Sequence, residues 1–303
     1  MSALACWAAL FALPAAPAGA ASECPPKCFG LHDLDVVFTG EKGEALTEVV
    51  IPPEGEILNQ AGGHPFAMTT SFRVNGEETG EGGEEPFEAI RDALFTQMPG
   101  FAASPTAVPV CSTADFVTRS SGAFGENLSS CPDSTAVGVV TAQLASKDSK
   151  ANVYSAVYNL ETTPGIAGKL GFWAGGIPVT IDANLSEESP SLIVAGPTNT
   201  PQLVEVMGSS FTLWGVPADP VHDPLRGRCL RDIGVSIGEC PVSIDEVPFI
   251  TMPRNCDGPL ATTYHAVSWL GSTDAGEAIT HEEAGNPQGM TGCGTLTFTP
   301  HAS

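Results

Sequence analysis

The chain has 303 residues, with 12 Lys or Arg against 35 Asp or Glu, for a formal net charge of -23. Only 16% of residues are charged, below the roughly 25% of an ordinary soluble domain, so the acidity comes from a shortage of basic side chains. Nothing here neutralises a row of phosphates, which excludes nucleic acid as a partner and argues against an anionic lipid surface, and 26 Pro with 33 Gly leave little room for long helices.

Taken in chain order, residues 1–20 read as a signal peptide. Ala3 to Ala16 is almost wholly apolar, and Ala18-Gly19-Ala20 places small residues where a signal peptidase reads them. Pro14 and Pro17 break a run already too short to span a bilayer. No second long apolar run follows, so no membrane span is expected after signal removal. The remainder, 21–303, is expected to be one elaborated domain. Its eight cysteines are Cys24, Cys28, Cys111, Cys131, Cys229, Cys240, Cys256 and Cys293. An even number in an exported chain reads as disulfides, and sequence neighbours suggest Cys24–Cys28, Cys111–Cys131, Cys229–Cys240 and Cys256–Cys293. A zinc site at Cys24 and Cys28 would need a second pair of matching spacing, which is missing.

Strand patterns then dominate. Residues 67–75 set Met68, Ser71 and Val74 among polar neighbours as a half-buried strand of imperfect period, and 136–144 and 152–160, joined by the polar connector 146–150, are rich in β-branched and aromatic residues. Residues 169–174 and 177–182 flank Gly175-Gly176 as a hairpin. Further strands are expected at 191–195, 202–207, 210–216, 262–270 and 294–299. The segment 84–95 fits a helix start at Glu84-Glu-Pro86, yet Phe87, Ala89, Arg91, Ala93 and Phe95 also alternate as on a strand. The acidic Gly-rich stretch 75–85 reads as a loop, and 216–261 as a long disulfide-tied loop insertion. Short strands at regular spacing predict an all-β fold, an antiparallel β-sandwich with long disulfide-tied loops.

The search for chemistry is mostly negative. There is no phosphate-cradling Gly loop and no cofactor motif. His281-Glu-Glu lacks the second His that a zinc protease helix needs. His32, His64, His222, His265, His281 and His301 are scattered. Asp245-Glu246 and Glu282-Glu283 are sequence neighbours, which a strand points to opposite faces. Glu77, Glu78, Glu81, Glu84 and Glu85, or Asp219 and Asp223, offer oxygen ligands without the spaced pattern of a calcium loop, so any metal site stays open. Trp173, Trp214 and Trp269 are candidate ligand contacts, with core packing as the alternative.

Several phrases, taken together, resemble a recurrent segment of large, uncharacterised exported proteins from soil actinobacteria. They are Ala61-Gly-Gly-His-Pro-Phe-Ala-Met-Thr-Thr-Ser-Phe-Arg-Val-Asn75, Met98-Pro-Gly-Phe-Ala-Ala-Ser-Pro-Thr-Ala-Val-Pro-Val-Cys111, Cys131-Pro-Asp-Ser-Thr-Ala-Val-Gly138, Val157-Tyr-Asn-Leu160 and Ser209-Ser-Phe-Thr-Leu-Trp-Gly-Val-Pro-Ala-Asp-Pro-Val-His-Asp223. The resemblance covers roughly residues 30 to 300 and implies a strand-rich, disulfide-bearing surface protein with no established activity. It favours strand over helix at 89–97. Relatives of that kind run on past the Cys293 region, which implies a fragment or a short member. The expectation is therefore an exported, non-enzymatic protein of the cell envelope, serving adhesion or assembly, with envelope proteins or glycans as partners. The alternative is a carbohydrate-active protein, lectin-like or a glycosidase with paired carboxylates.

Overall fold

Eleven strands carry the fold, and their ranges in chain order are β1 Leu31–Thr39, β2 Ala67–Val74, β3 Ile90–Thr96, β4 Ala136–Leu144, β5 Ala151–Asn159, β6 Gly168–Ala174, β7 Ile177–Leu185, β8 Ile193–Pro197, β9 Val206–Trp214, β10 Ala261–Ser268 and β11 Thr273–Ile279. The structure is a computed structural model that describes residues 27–40, 55–80, 82–121, 127–146, 148, 151–187, 189, 191–203 and 205–296. The expected signal peptide lies outside the described residues, as do Cys24 with its pairing to Cys28, Glu81 and His301.

All eleven strands join one antiparallel sheet in the order β1-β2-β9-β4-β5-β6-β7-β8-β3-β10-β11. The expected all-β, antiparallel class holds, but the strands hydrogen-bond into one continuous sheet that curls nearly into a barrel rather than into two separate sheets. Its two edge strands, β1 and β11, run beside one another. Side chains sew that seam. Asp274 Oδ2 accepts from the Leu31 N–H at 2.7 Å and from the Tyr264 hydroxyl at 2.6 Å, and His281 Nε2 lies 2.9 Å from Asp35 Oδ1.

Period-two alternation decides which side chains enter the barrel. On β7, Ile177, Val179, Ile181, Ala183 and Leu185 face inward, while the intervening Pro178, Thr180, Asp182 and Asn184 leave the other face polar. β4 instead reads as a nearly unbroken apolar run because both its faces are covered. Val137, Val140 and Ala142 join the inner core, and Ala136 and Val139 join an outer cluster with Phe116, Leu160 and Trp214. That outer layer consists of the short helix α1 (Thr113–Val117), the Cys111–Cys131 bridge and the start of the insertion after β9.

The insertion at 216–261 is packed at its two ends, while most of 231–248 is exposed. It opens with 3-10 turns at Pro220–Leu225 and Gly227–Cys229, is tied by Cys229–Cys240, and returns as Ile250–Thr251 paired with Ala102–Ala103. Phe249, Ile250 and Met252 enter the inner core on that return. The third described bridge is Cys256–Cys293, and all three have Cα separations of 5.4 to 6.1 Å.

The segment 84–95 is strand: a short Glu84–Pro86 pairing with Gly76–Glu78, then β3. The tertiary pairing of β3 with β8 and β10 overrides the helix-like opening. The separate strands expected at 202–207 and 210–216 are largely one strand, β9. β1 and β11 had no sequence expectation. Residues 293–295 form a 3-10 turn where the strand 294–299 was expected, and 297–300 lie outside the described residues.

Candidate functional site

The inward positions of neighbouring strands are unusually small. Ala93, Ala142, Gly168, Ala174, Ala183 and Ala195 all line the same space. Small side chains on several strands at once cannot meet across a barrel, and a cavity of about 340 Å³ remains inside the sheet. Longer residues such as Met68, Phe95, Phe172, Phe211 and Leu213 form the rest of its wall. The volume lies at the lower end of ordinary small-molecule sites, roughly 300–1,000 Å³.

Few polar side chains reach this wall, and most are committed. Asn159 Nδ2 donates to Pro105 O at 2.8 Å, tying the 105–109 loop across the barrel end. Lys169 borders the wall with its backbone, while its Nζ lies 3.1 Å from Asp182 Oδ1 on the outer face, its cross-strand neighbour in the β6–β7 register. Gln97 differs. Its backbone N–H donates to Ile193 O at 2.8 Å, carrying the β3–β8 ladder one step past the strand. That step keeps Gln97 in phase with Ala93 and Phe95, so its side chain belongs to the cavity wall. Gln97 is 9% exposed and its Oε1 has no hydrogen-bond partner. Thr200 Oγ1, also on the wall, is without a partner too.

A second cavity of about 320 Å³ lies outside the sheet, between the β5–β6 face and the insertion, and is lined by Tyr154, Trp173, Arg119, Asp232 and the Gly175-Gly176 turn. Here one of the three candidate tryptophans takes part. Trp173 donates its indole N–H to Phe116 O at 3.2 Å, and the Arg119 guanidinium sits 4.5 Å from its ring centroid. Trp214 belongs to the same outer cluster but is 1% exposed, stacked on His222 at 4.4 Å. Trp269 stands apart, 37% exposed, with its N–H on Thr200 O at 2.9 Å. The three tryptophans therefore do not form one platform.

Beneath Trp214 lies a buried ionic knot. Arg226, fully buried, donates to Asp223 Oδ1 at 2.9 Å, to Asp219 O at 3.0 Å and to Pro217 O. Asp219 caps the 3-10 turn through the Val221 N–H at 3.0 Å. Burial, helped by the Arg226 charge, pushes His222 down to about 3, so its ring is neutral. Asp219 and Asp223 thus serve this knot. The other sequence candidates do not converge: Asp245, Glu246 and Glu283 are exposed, His64 bonds Ile250 O at 3.0 Å, and His281 belongs to the seam. Among the described residues no three His, Cys, Asp or Glu side chains are grouped to hold a metal ion. No helix among them is long and apolar enough to cross a membrane.

Sequence reasoning missed the inner cavity and Gln97. The available signal was the repeated Ala or Gly at inward positions of five strands, which becomes visible only once strand register is known. No protein-family model, curated protein or solved structure matches this chain.

Proposed function

We propose that this chain is an exported, non-enzymatic binding protein that holds an apolar small molecule inside its barrel. The observation that carries the reading is the apolar cavity of about 340 Å³ lined by the inner face of the principal sheet. Cavities opened by truncating core side chains cost about 24 cal/mol per Å³. The space of about 340 Å³ is partly open, Leu185 on its wall being 57% exposed, so on that slope the cost of leaving it unfilled is at most on the order of 8 kcal/mol. A chain that keeps small residues on five strands around such a space gains most from an occupant. The envelope setting expected from the sequence belongs to the same proposal, and the three disulfides support it, since they persist in oxidising compartments. In this reading the surface role is capture or carriage of an apolar compound.

The test is a titration of the oxidised protein with the uncharged dye N-phenylnaphthylamine. One saturable site with enhanced emission is expected, weakened more than tenfold when Ala142→Leu and Ala183→Leu fill the space. Absence of saturable binding to the wild-type protein would remove the reading.

A glycan-binding reading is favoured by one observation, the outer cavity where Tyr154 and Trp173 lie beside Asp232 and Arg119. Binding on a glycan array that is lost in Trp173→Ala would support it, and a blank array would end it.

A further inference from the structure

We infer that the ligand of the inner cavity is a single-chain aliphatic molecule with an uncharged hydrogen-bond donor, a hydroxyl, at one end, and that Gln97 receives that donor. The inference rests on the reading of the cavity as a binding site and names its ligand's chemistry.

Three observations lead there. The first is the unpartnered Oε1 of Gln97, buried on the wall. A buried acceptor without a partner is costly, and interiors leave few of them, so a group that supplies a donor is expected to meet it. The second is the shape of the site. Gln97 follows the last residue of β3, whereas Thr200 is held by its N–H on Arg91 O, near the first residue of that strand. Six residues of strand separate the two levels, roughly 20 Å at the usual rise. The same wall includes both Gln97 and Thr200, so the cavity is drawn out along β3. The wall between those levels is apolar, with Ala93, Phe95, Ala183 and Ala195 among its lining, and a site of that length suits one extended alkyl chain.

The third observation is charge. Lys169 is the one charged residue on the wall among the described residues, and its ammonium lies against Asp182. A carboxylate or ammonium head group would enter without a counter-ion and lose its hydration, which is prohibitive in an apolar space. A hydroxyl meets Gln97 at a small desolvation cost.

The experiment uses the full oxidised chain loaded with N-phenylnaphthylamine and displaced in turn by dodecanol, dodecyl methyl ether, dodecane and dodecanoate. Dodecanol is expected to bind roughly three- to tenfold tighter than its methyl ether, the worth of one hydrogen bond. Dodecanoate is expected to be the weakest competitor. Gln97→Leu should weaken dodecanol by the same factor and leave dodecane unchanged or tighter. Equal affinities of the alcohol and the ether for the wild-type protein would overturn the inference without any variant. So would tight dodecanoate binding, or equal losses for alcohol and alkane in Gln97→Leu. In those cases aliphatic binding itself stands and only the assignment of the head group falls. If the dye binds at no saturable site, the binding function falls with it.

Discussion

At residue scale the most consequential side chain outside the cavities is His222. It lies against Trp214 at 4.4 Å and Phe66 at 4.9 Å, 1% exposed, with its Nδ1 unpartnered. Its ring is neutral in the folded protein, held down to about 3 by burial first and the Arg226 charge second. In the unfolded chain it titrates near 6.5. Below that value the unfolded state takes up a proton that the folded state refuses. Stability is therefore fully present above about pH 6.5 and is lost as pH falls toward 3. The slope reaches about 1.4 kcal/mol per pH unit when this group acts alone. Replacing His222 with Phe keeps an aromatic ring on Trp214 and removes the titration. Urea unfolding at pH 7, 6, 5 and 4 is expected to show His222→Phe losing less stability than the wild type at each acid step. Parallel losses in the two proteins would contradict the assignment. The neighbouring Arg226–Asp223 pair is a different kind of contribution, because a buried charge stripped of its partner is far worse than no charge at all.

At the scale of elements, the joint between β8 and β3 is, with that between β5 and β6, the shortest in the sheet, with Val194 opposite Thr96 and Ala195 opposite Phe95. Gly196 follows, and a Cβ built on it would stand 1.9 Å from Ala93 O. The obstacle is backbone, so relief requires the two strands to part. Gly196→Ala is expected to cost about 1–3 kcal/mol or more, read by thermal unfolding, and to widen the inner cavity enough to change dye emission. An unchanged melting temperature would mean that the strands separate freely there. This joint also marks how far the sequence could be read. β4, β5, β6 and β7 were legible because alternation and the Gly175-Gly176 turn are local signals. The three described chain-neighbour disulfides were legible for the same reason. β1 escaped notice because Leu31-His-Asp-Leu-Asp breaks the alternation, and the structure puts a register shift between His32 and Asp35. β11 escaped because Thr273-Asp-Ala-Gly-Glu-Ala carries almost no apolar side chain, and it is a strand through its pairing with β10. The cavity was illegible for a related reason. Its wall combines residues from strands distant in sequence, and no single segment shows that Ala93, Ala142 and Ala183 face one another.

At the scale of the whole molecule, a net charge of -23 makes the chain repel itself, and the repulsion acts on whatever joint is weakest. The seam between β1 and β11 is such a joint, since side chains hold it where a backbone ladder would otherwise run. Asp274 keeps its two donors at any pH where it is ionised, but the contact of His281 with Asp35 depends on a proton. The Glu282 carbonyl at 2.8 Å from Nδ1 raises His281 above its ordinary value, burial works against that, and the Asp35 carboxylate adds to it. The imidazolium is thus bound more tightly in the folded state than in the unfolded one. Its contribution is complete below about pH 6.5 and fades as pH rises through the raised value, the opposite direction to His222. Both members are partly exposed, with side chains 21% and 41% accessible, so the pair is worth only about 0.2–1 kcal/mol. Stability should therefore peak near neutrality, with His222 shaping the acid limb and His281 part of the alkaline one. Hydrogen exchange gives the sharper measurement, because a local seam opens without global unfolding. The Leu31 amide, held by Asp274, is expected to lose protection between pH 6 and 8.5 relative to amides of β4, after correction for intrinsic exchange. In His281→Gln that relative loss should disappear and the Leu31 amide should stay equally labile throughout. Raised salt should mute the wild-type trend, since it screens a partly exposed pair. If the seam instead keeps full protection at pH 8.5 in both proteins, Asp274 alone closes the barrel and the ion pair is incidental.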